Sequence, residues 1–176
     1  MNICIFGSGA IGSYIGALLM KNGIKVSLIC RGEHLKAIQN KGLLKLHYAD
    51  LTDSSSISTL VSEIMPDEVY NLGAQSHVAV SFKNPILSTQ VGNIGTLSLL
   101  EAIKSSDKQI KFYQASSSEM YGGGSKKSLN EDSIFDPKSP YAASKASAEL
   151  LIKSYITTIH EYFGFSTGKN PTKDAV

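Results

Sequence analysis

The chain has 176 residues and a formal net charge of +2, with 42% hydrophobic and 18% charged residues. That length suffices for a domain with its own core. So small a charge, carried on scattered lysines, argues against a nucleic-acid partner or an acidic membrane surface, and no apolar run is long enough to cross a bilayer.

In chain order, Ile3 to Phe6 reads as a short buried strand leading into the turn Gly7-Ser8-Gly9-Ala10-Ile11-Gly12. A helix follows, with Ile11, Ile15, Leu18 and Leu19 on one stripe and Gly23 as its stop. Lys25 to Cys30 is a second strand, His34 to Asn40 a short helix closed near Gly42, and Leu44 to Tyr48 a third strand. Asp53 suits the N-cap of a helix through Ile64, with Pro66 beyond its end. Glu68 to Leu72 is strand-like, and Asn93 to Ser105 reads as a helix turning Leu97, Leu100 and Ile103 inward. Ile110 to Ala115 is a further strand, and Tyr141 to about His160 a long helix. Strands that alternate with helices from the first residue predict an α/β fold: a doubly wound parallel sheet covered on both faces. The nucleotide-binding domain is expected over residues 1–164, and the polar segment 165–176 is expected to fray.

Cys4 and Cys30 fall in apolar strand-like runs and read as small buried hydrophobes, which suits a reducing, cytoplasmic setting. The N-terminus has no basic n-region, so no signal peptide is expected. His34, His47, His77 and His160 are far apart and show no metal-ligand spacing, so no metal site is expected.

In the glycine turn each glycine has a task. Gly7 permits the tight bend, Gly9 lets backbone approach a pyrophosphate, and Gly12 lets helix and strand pack closely. Ser8, Ala10 and Ile11 complete the loop, whose helix-start N–H groups would face the anion. The pattern follows a strand and opens a helix, which is the context a dinucleotide site requires. At the end of the second strand stands Arg31, where an Asp or Glu would serve a ribose 2′-hydroxyl. A guanidinium suits a 2′-phosphate, so the expected cofactor is NADP rather than NAD.

The densest chemistry lies later. Ser116-Ser117-Ser118-Glu119-Met120-Tyr121-Gly122 precedes Ser139-Pro140-Tyr141-Ala142-Ala143-Ser144-Lys145. On one helix Tyr141 and Lys145 are a turn apart and project from one face. An ammonium there favours the phenolate and makes a tyrosine usable for proton transfer. With the glycine turn, this points to redox chemistry on a nicotinamide cofactor.

Two resemblances follow. Residues 1 to about 43 resemble the start of a ketopantoate reductase, through Gly7-Ser8-Gly9-Ala10-Ile11-Gly12 and Cys30-Arg31-Gly32-Glu33-His34-Leu35. Residues 45 to about 145 resemble the GDP-mannose 4,6-dehydratases, which are extended short-chain dehydrogenase/reductases. That likeness runs through Leu46-His47-Tyr48-Ala49-Asp50-Leu51-Thr52-Asp53, Tyr70-Asn71-Leu72-Gly73-Ala74-Gln75-Ser76-His77-Val78 and Phe112-Tyr113-Gln114-Ala115-Ser116. The second resemblance implies that Asp50 and Leu51 contact the adenine and that Leu72, Gly73, Ala74, Gln75 and Ser76 line the cofactor. It implies that Ser117 bonds the sugar 4-hydroxyl, that Tyr141 takes its proton and that Lys145 tunes Tyr141 and holds the nicotinamide ribose. Glu119 would remove the C5 proton, water would leave C6, and the hydride taken from C4 would return there. The implied substrate is a nucleotide sugar, GDP-mannose foremost, and a homodimer is implied by analogy.

The chain departs from the family pattern in places. The dehydratases open with Thr-Gly-x-x-Gly-x-x-Gly, their arginine- and serine-rich stretch is replaced by Gly32 to Gly42, and a cofactor-reaching tyrosine aligns with Leu87. A nucleotide-sugar domain, the family's C-terminal part, has no counterpart, so a composite or truncated chain with a seam near residues 43–46 is expected. Three readings therefore stand: a nucleotide-sugar dehydratase impaired by truncation, a non-catalytic NADP-binding remnant, and a ketopantoate reductase-like oxidoreductase.

Overall fold

The structure, a computed structural model, describes residues 1–30, 44–122, 128–130 and 132–159. Arg31, the helix expected over His34 to Asn40 and the polar tail lie outside the described residues.

The chain begins with β1 (Asn2–Phe6), α1 (Ala10–Lys21) and β2 (Lys25–Cys30), then continues with β3 (Leu44–Tyr48), α2 (Ser54–Ile64) and β4 (Glu68–Asn71). Next come α3 (Val78–Lys83), α4 (Pro85–Thr89), a π turn (Gln90–Ile94) and α5 (Gly95–Lys104). β5 (Lys111–Gln114), a 3₁₀ turn (Ser118–Tyr121) and α6 (Pro140–Ile159) are the last elements among the described residues. Every strand pair is parallel and the order is β3-β2-β1-β4-β5. The doubly wound Rossmann-type sheet is thus present. Its order reverses at β1, which pairs with both β2 and β4, and that switch opens a crevice at the strands' carboxyl ends.

Strand side chains alternate between two cores. Cys4, Phe6, Ile29, Val69 and Phe112 face α2, α5 and α6, where Ile57, Val61, Leu99, Leu100, Ile103 and Ile152 meet them. Ile3, Ile5, Val26 and Leu28 face the other way and pack against Ile15, Leu19 and Met20 of α1. The expected stripe on α1 needs correction. Gly12 and Gly16 are its buried residues, while Ile11 and Leu18 are 70% and 43% exposed. A Cβ on Gly16 would stand 3.0 Å from Leu28 Cδ2, so the helix lies on its glycine face and rotates those two side chains outward.

Asp53 caps α2 as expected, its carboxylate accepting from the N–H groups of Ser55 (3.1 Å) and Ser56 (3.2 Å). The stretch from Val78 to Thr89 holds two short helices that the sequence reading passes over, and Asn93 belongs to a π turn rather than to a regular helix. Leu97 is only half-buried, and Leu99 takes the core place beside Leu100 and Ile103.

α6 starts at Pro140 behind Ser139, whose Oγ accepts from Ala142 N–H at 3.1 Å. Small residues, Ala142, Ser144, Ala146 and Ala148, form its buried face. Ser144 Oγ donates to the Ser88 carbonyl (3.0 Å) and Asn93 Nδ2 to Ser147 Oγ (2.7 Å), which fixes α6 against α4 and the π turn.

Candidate active site

A cleft of about 840 Å³ opens at the carboxyl ends of the strands. Gly7, Ser8, Gly9, Ala10, Ile11 and Gly12 line one side, and Asp50, Leu51, Leu72, Gly73, Ala74 and Ser76 line others. Sequence reasoning missed Phe6, Cys30, Ala49, Tyr113 and Ala115, which also line it. Their signal was position: each is the last residue of a strand or lies within a residue or two of its carboxyl end.

The glycine turn is built for close approach. Gly7 has φ +99°, and a Cβ there would lie 2.7 Å from Gly73 N; a Cβ on Gly12 would lie 2.0 Å from the Gly7 carbonyl oxygen. Gly9 instead opens on space, with nothing within 4 Å of where its Cβ would be. Ser13 Oγ donates to the Ser8 carbonyl at 2.8 Å and pins the loop. The start of α1 has no side-chain cap and no acidic residue in its first turn. Its positive dipole end therefore faces the cleft uncompensated, which fits a pyrophosphate.

Around the rim, Asp50 Oδ1 accepts from Thr52 N–H and Thr52 Oγ1, both at 3.0 Å. Gln75 is not among the lining residues. Its amide donates to the His77 carbonyl and accepts from Ser88 Oγ, each at 3.2 Å, so it ties the loop after β4 to α4.

The four catalytic candidates gather beside the cleft rather than in its lining. Ser117 caps the 3₁₀ turn, with Oγ accepting from Glu119 N–H at 3.3 Å, and both residues are half-buried. α6 packs against that turn and carries a half-buried Tyr141 one helical turn before Lys145. Lys145 is only 4% exposed, and its Nζ donates to the Ala115 carbonyl at 2.7 Å. Burial pushes the Lys145 ammonium down from its ordinary value to about 8. Ala115 is the joint between the two regions: it lines the cleft, receives Lys145, and stands two residues before Ser117.

Solved structures share this architecture. The chain superposes on the UDP-glucose 4-epimerase of Thermus thermophilus in complex with NAD with a TM-score of 0.82, at 27% identity, covering 99% of this chain and 59% of that one. It superposes on the NAD complex of dTDP-glucose 4,6-dehydratase from Bacillus anthracis with a TM-score of 0.76, at 26% identity, covering 91% and 52%. In sequence it is 45% identical over 161 residues to the GDP-mannose 4,6-dehydratase of Vibrio cholerae serotype O1, covering 84% of this chain and 43% of that protein. It is 39% identical to the human GDP-mannose 4,6 dehydratase, covering 84% and 44%. The chain thus spans less than half the length of these relatives. The family model for GDP-mannose 4,6 dehydratase matches residues 6–166, so one family accounts for both sides of the expected seam, including the stretch that resembles a ketopantoate reductase. With that match running through the glycine turn, the serine-glutamate turn and the Tyr141–Lys145 helix, the chain belongs to the GDP-mannose 4,6-dehydratase family.

Proposed function

We propose that this chain is the cofactor-binding and proton-transfer portion of a lyase that converts GDP-mannose to its 4-keto-6-deoxy form. The observation that carries this reading is the bond from Lys145 to Ala115, which joins the Tyr141–Lys145 helix to the wall of a cleft fitted to a dinucleotide. Gly7 to Gly12 would hold the pyrophosphate, Asp50 and Leu51 the adenine end, and Leu72 to Ser76 the opposite wall. Within Leu72 to Ser76, Gln75 serves by fixing the loop. A nicotinamide bound there would supply the redox chemistry, accepting the hydride from sugar C4 and giving it back at C6.

The residues of the chain handle the protons. Ser117 bonds the 4-hydroxyl, and Tyr141 accepts its proton as the carbonyl forms. Lys145 supplies positive charge on the same helix face, being largely protonated at pH 7 with its value at about 8. Glu119 removes the C5 proton, which the adjacent ketone acidifies, and passes it to the C6 hydroxyl, which leaves as water; the proton held by Tyr141 returns at C5 as the hydride arrives at C6. NADP is the proposed cofactor, on the strength of Arg31, the residue that follows Cys30 in the sequence. A homodimer through α6 and a cytoplasmic setting belong to the same proposal; among the described residues no helix is long and apolar enough to cross a membrane.

The place of Ser117, Glu119, Tyr141 and Lys145 beside the cleft rather than in its lining favours a second reading, a cofactor-binding module without turnover of its own. One assay separates the two. The protein is incubated with GDP-mannose and NADP, and the 4-keto-6-deoxy sugar is sought by mass spectrometry. Product that vanishes in Tyr141→Phe supports the lyase. NADP binding by calorimetry with no product supports the module, and neither binding nor product overturns both.

A further inference from the structure

At the carboxyl ends of β4 and β5 two amides sit where strand cores are normally apolar. Asn71 and Gln114 are register partners, 0% and 8% exposed. Asn71 Nδ2 donates to Gln114 Oε1 at 2.8 Å, and Asn71 Oδ1 accepts from Gly73 N–H at 3.2 Å. Gln114 Nε2 donates to the Ala115 carbonyl at 3.3 Å, the same oxygen that receives Lys145 Nζ at 2.7 Å. Thr96 Oγ1 sends its proton to the Gly92 carbonyl at 2.7 Å, which leaves its oxygen to accept from Asn71 Nδ2 at 3.4 Å. Reversing either amide would face donor with donor or acceptor with acceptor, so the chain of bonds has one orientation.

Buried amides are costly unless every group is partnered, and Val69 and Phe112, two residues earlier on the same strands, show that the sheet accepts apolar side chains here. Both ends of this chain of bonds terminate on the cleft, at Gly73 and at Ala115. We infer that Asn71 and Gln114 form a positioning bridge that sets the Lys145 ammonium relative to the Gly73 wall of the cofactor cleft. The inference rests on the lyase reading for its purpose, though not for its test.

Asn71 and Gln114 are positioning residues, acting through Ala115 on Lys145. Without Gln114, the Ala115 carbonyl serves Lys145 alone, and a loosened joint admits water; both effects favour the ammonium. The titratable groups on elements packed round α6 are Lys83, Glu101, Lys104, Glu119 and Tyr121, and α6 adds Tyr141, Glu149, Lys153 and Tyr155. The test leaves all of them in place.

The test is competitive acetylation of Lys145 across pH, read by peptide mass spectrometry, on the whole chain and on Asn71→Leu/Gln114→Leu. Removing both partners leaves neither side-chain amide facing an apolar group. The bridge predicts a midpoint near 8 in the parent and one higher by about one pH unit in the double variant. It also predicts roughly tenfold weaker NADP binding, since a Lys145 that is displaced no longer meets the ribose. An unchanged midpoint in a cooperatively folding double variant overturns the bridge, whatever the cofactor data show. A shifted midpoint in a chain that binds no NADP keeps the bridge and removes the lyase reading instead. If the double variant does not fold, Gln114→Met carries the same test, because Asn71 Nδ2 keeps Thr96 Oγ1 as an acceptor. If neither folds, the pair is a folding element and the inference falls.

Discussion

Lys145 shows how a single side chain links stability to chemistry. It is buried on a helix face that also carries Ala142, Ser144, Ala146, Ala148 and Ile152, and its ammonium donates to a backbone carbonyl, that of Ala115. The unfolded chain holds the Lys145 proton up to the ordinary value of 10.5, the folded chain only up to about 8. Unfolding therefore takes up a proton between those values, so stability rises with pH across that window, and the cost of burying the charge is present in full below it. Lys145→Met removes the cost together with the charge. Relative to the parent, this variant should gain most stability near pH 7, and the gain should shrink by about 2–3 kcal/mol as pH rises towards 10. Urea unfolding of both proteins at pH 7 and pH 10 checks this; a difference independent of pH would mean that the ammonium is hydrated in the fold. Destabilisation that evolution has left at such a point is expected where charge is used rather than merely stored.

Among the elements, α6 owes its position to the absence of side chains opposite it. A Cβ on Gly92 would lie 2.2 Å from Ser144 Oγ and 3.3 Å from Ser144 Cβ. Moving that hydroxyl aside breaks its bond to the Ser88 carbonyl. Gly92→Ala should cost about 1–3 kcal/mol from overpacking, which outweighs the ~1 kcal/mol that alanine gains in a helical turn. Adding Ser144→Ala should recover part of the loss, seen as a coupling of at least ~0.5 kcal/mol in a double-mutant cycle; strict additivity would show that the two elements do not bear on each other. Much of this level was legible in the sequence. Short strand-like runs announced β1 to β5, Asp53 announced its helix, and Ser139-Pro140 stood at the start of α6. What was not legible has physical causes. Val78 to Ile94 breaks into two short helices and a π turn around Pro85, too short for a 3.6-residue stripe to emerge. On α1 the buried face is glycine, which carries no hydrophobic signal, so the larger Ile11 and Leu18 attracted the assignment. The pairing of Asn71 with Gln114 had no local signal, because it depends on the register between two strands and joins residues 43 apart in the chain.

At the scale of the whole molecule, the cleft belongs to no single element. Its lining comes from the ends of β1 and β2, the segment after β3, the loop after β4 and the end of β5, so it draws on both sides of the switch point. A dinucleotide lying across it would bind the folded chain and have nothing to bind in the unfolded one. Mass action then raises stability by about 2.7 kcal/mol when free ligand is at 100 times its Kd. For a chain of this size each kcal/mol moves the melting temperature by roughly 2–4 °C. NADP at that excess should therefore raise Tm by about 5–10 °C, with calorimetry supplying the Kd that fixes the concentration. NAD at the same concentration should give a smaller rise if Arg31 reads the 2′-phosphate, and Arg31→Ala should bring the two cofactors together while leaving the NAD response unchanged. A larger rise with NAD would reverse the cofactor assignment. No rise with either, in a protein that melts cooperatively, would mean that the open cleft is not a dinucleotide site, because the linkage holds for any ligand that prefers the folded state, whether or not turnover follows.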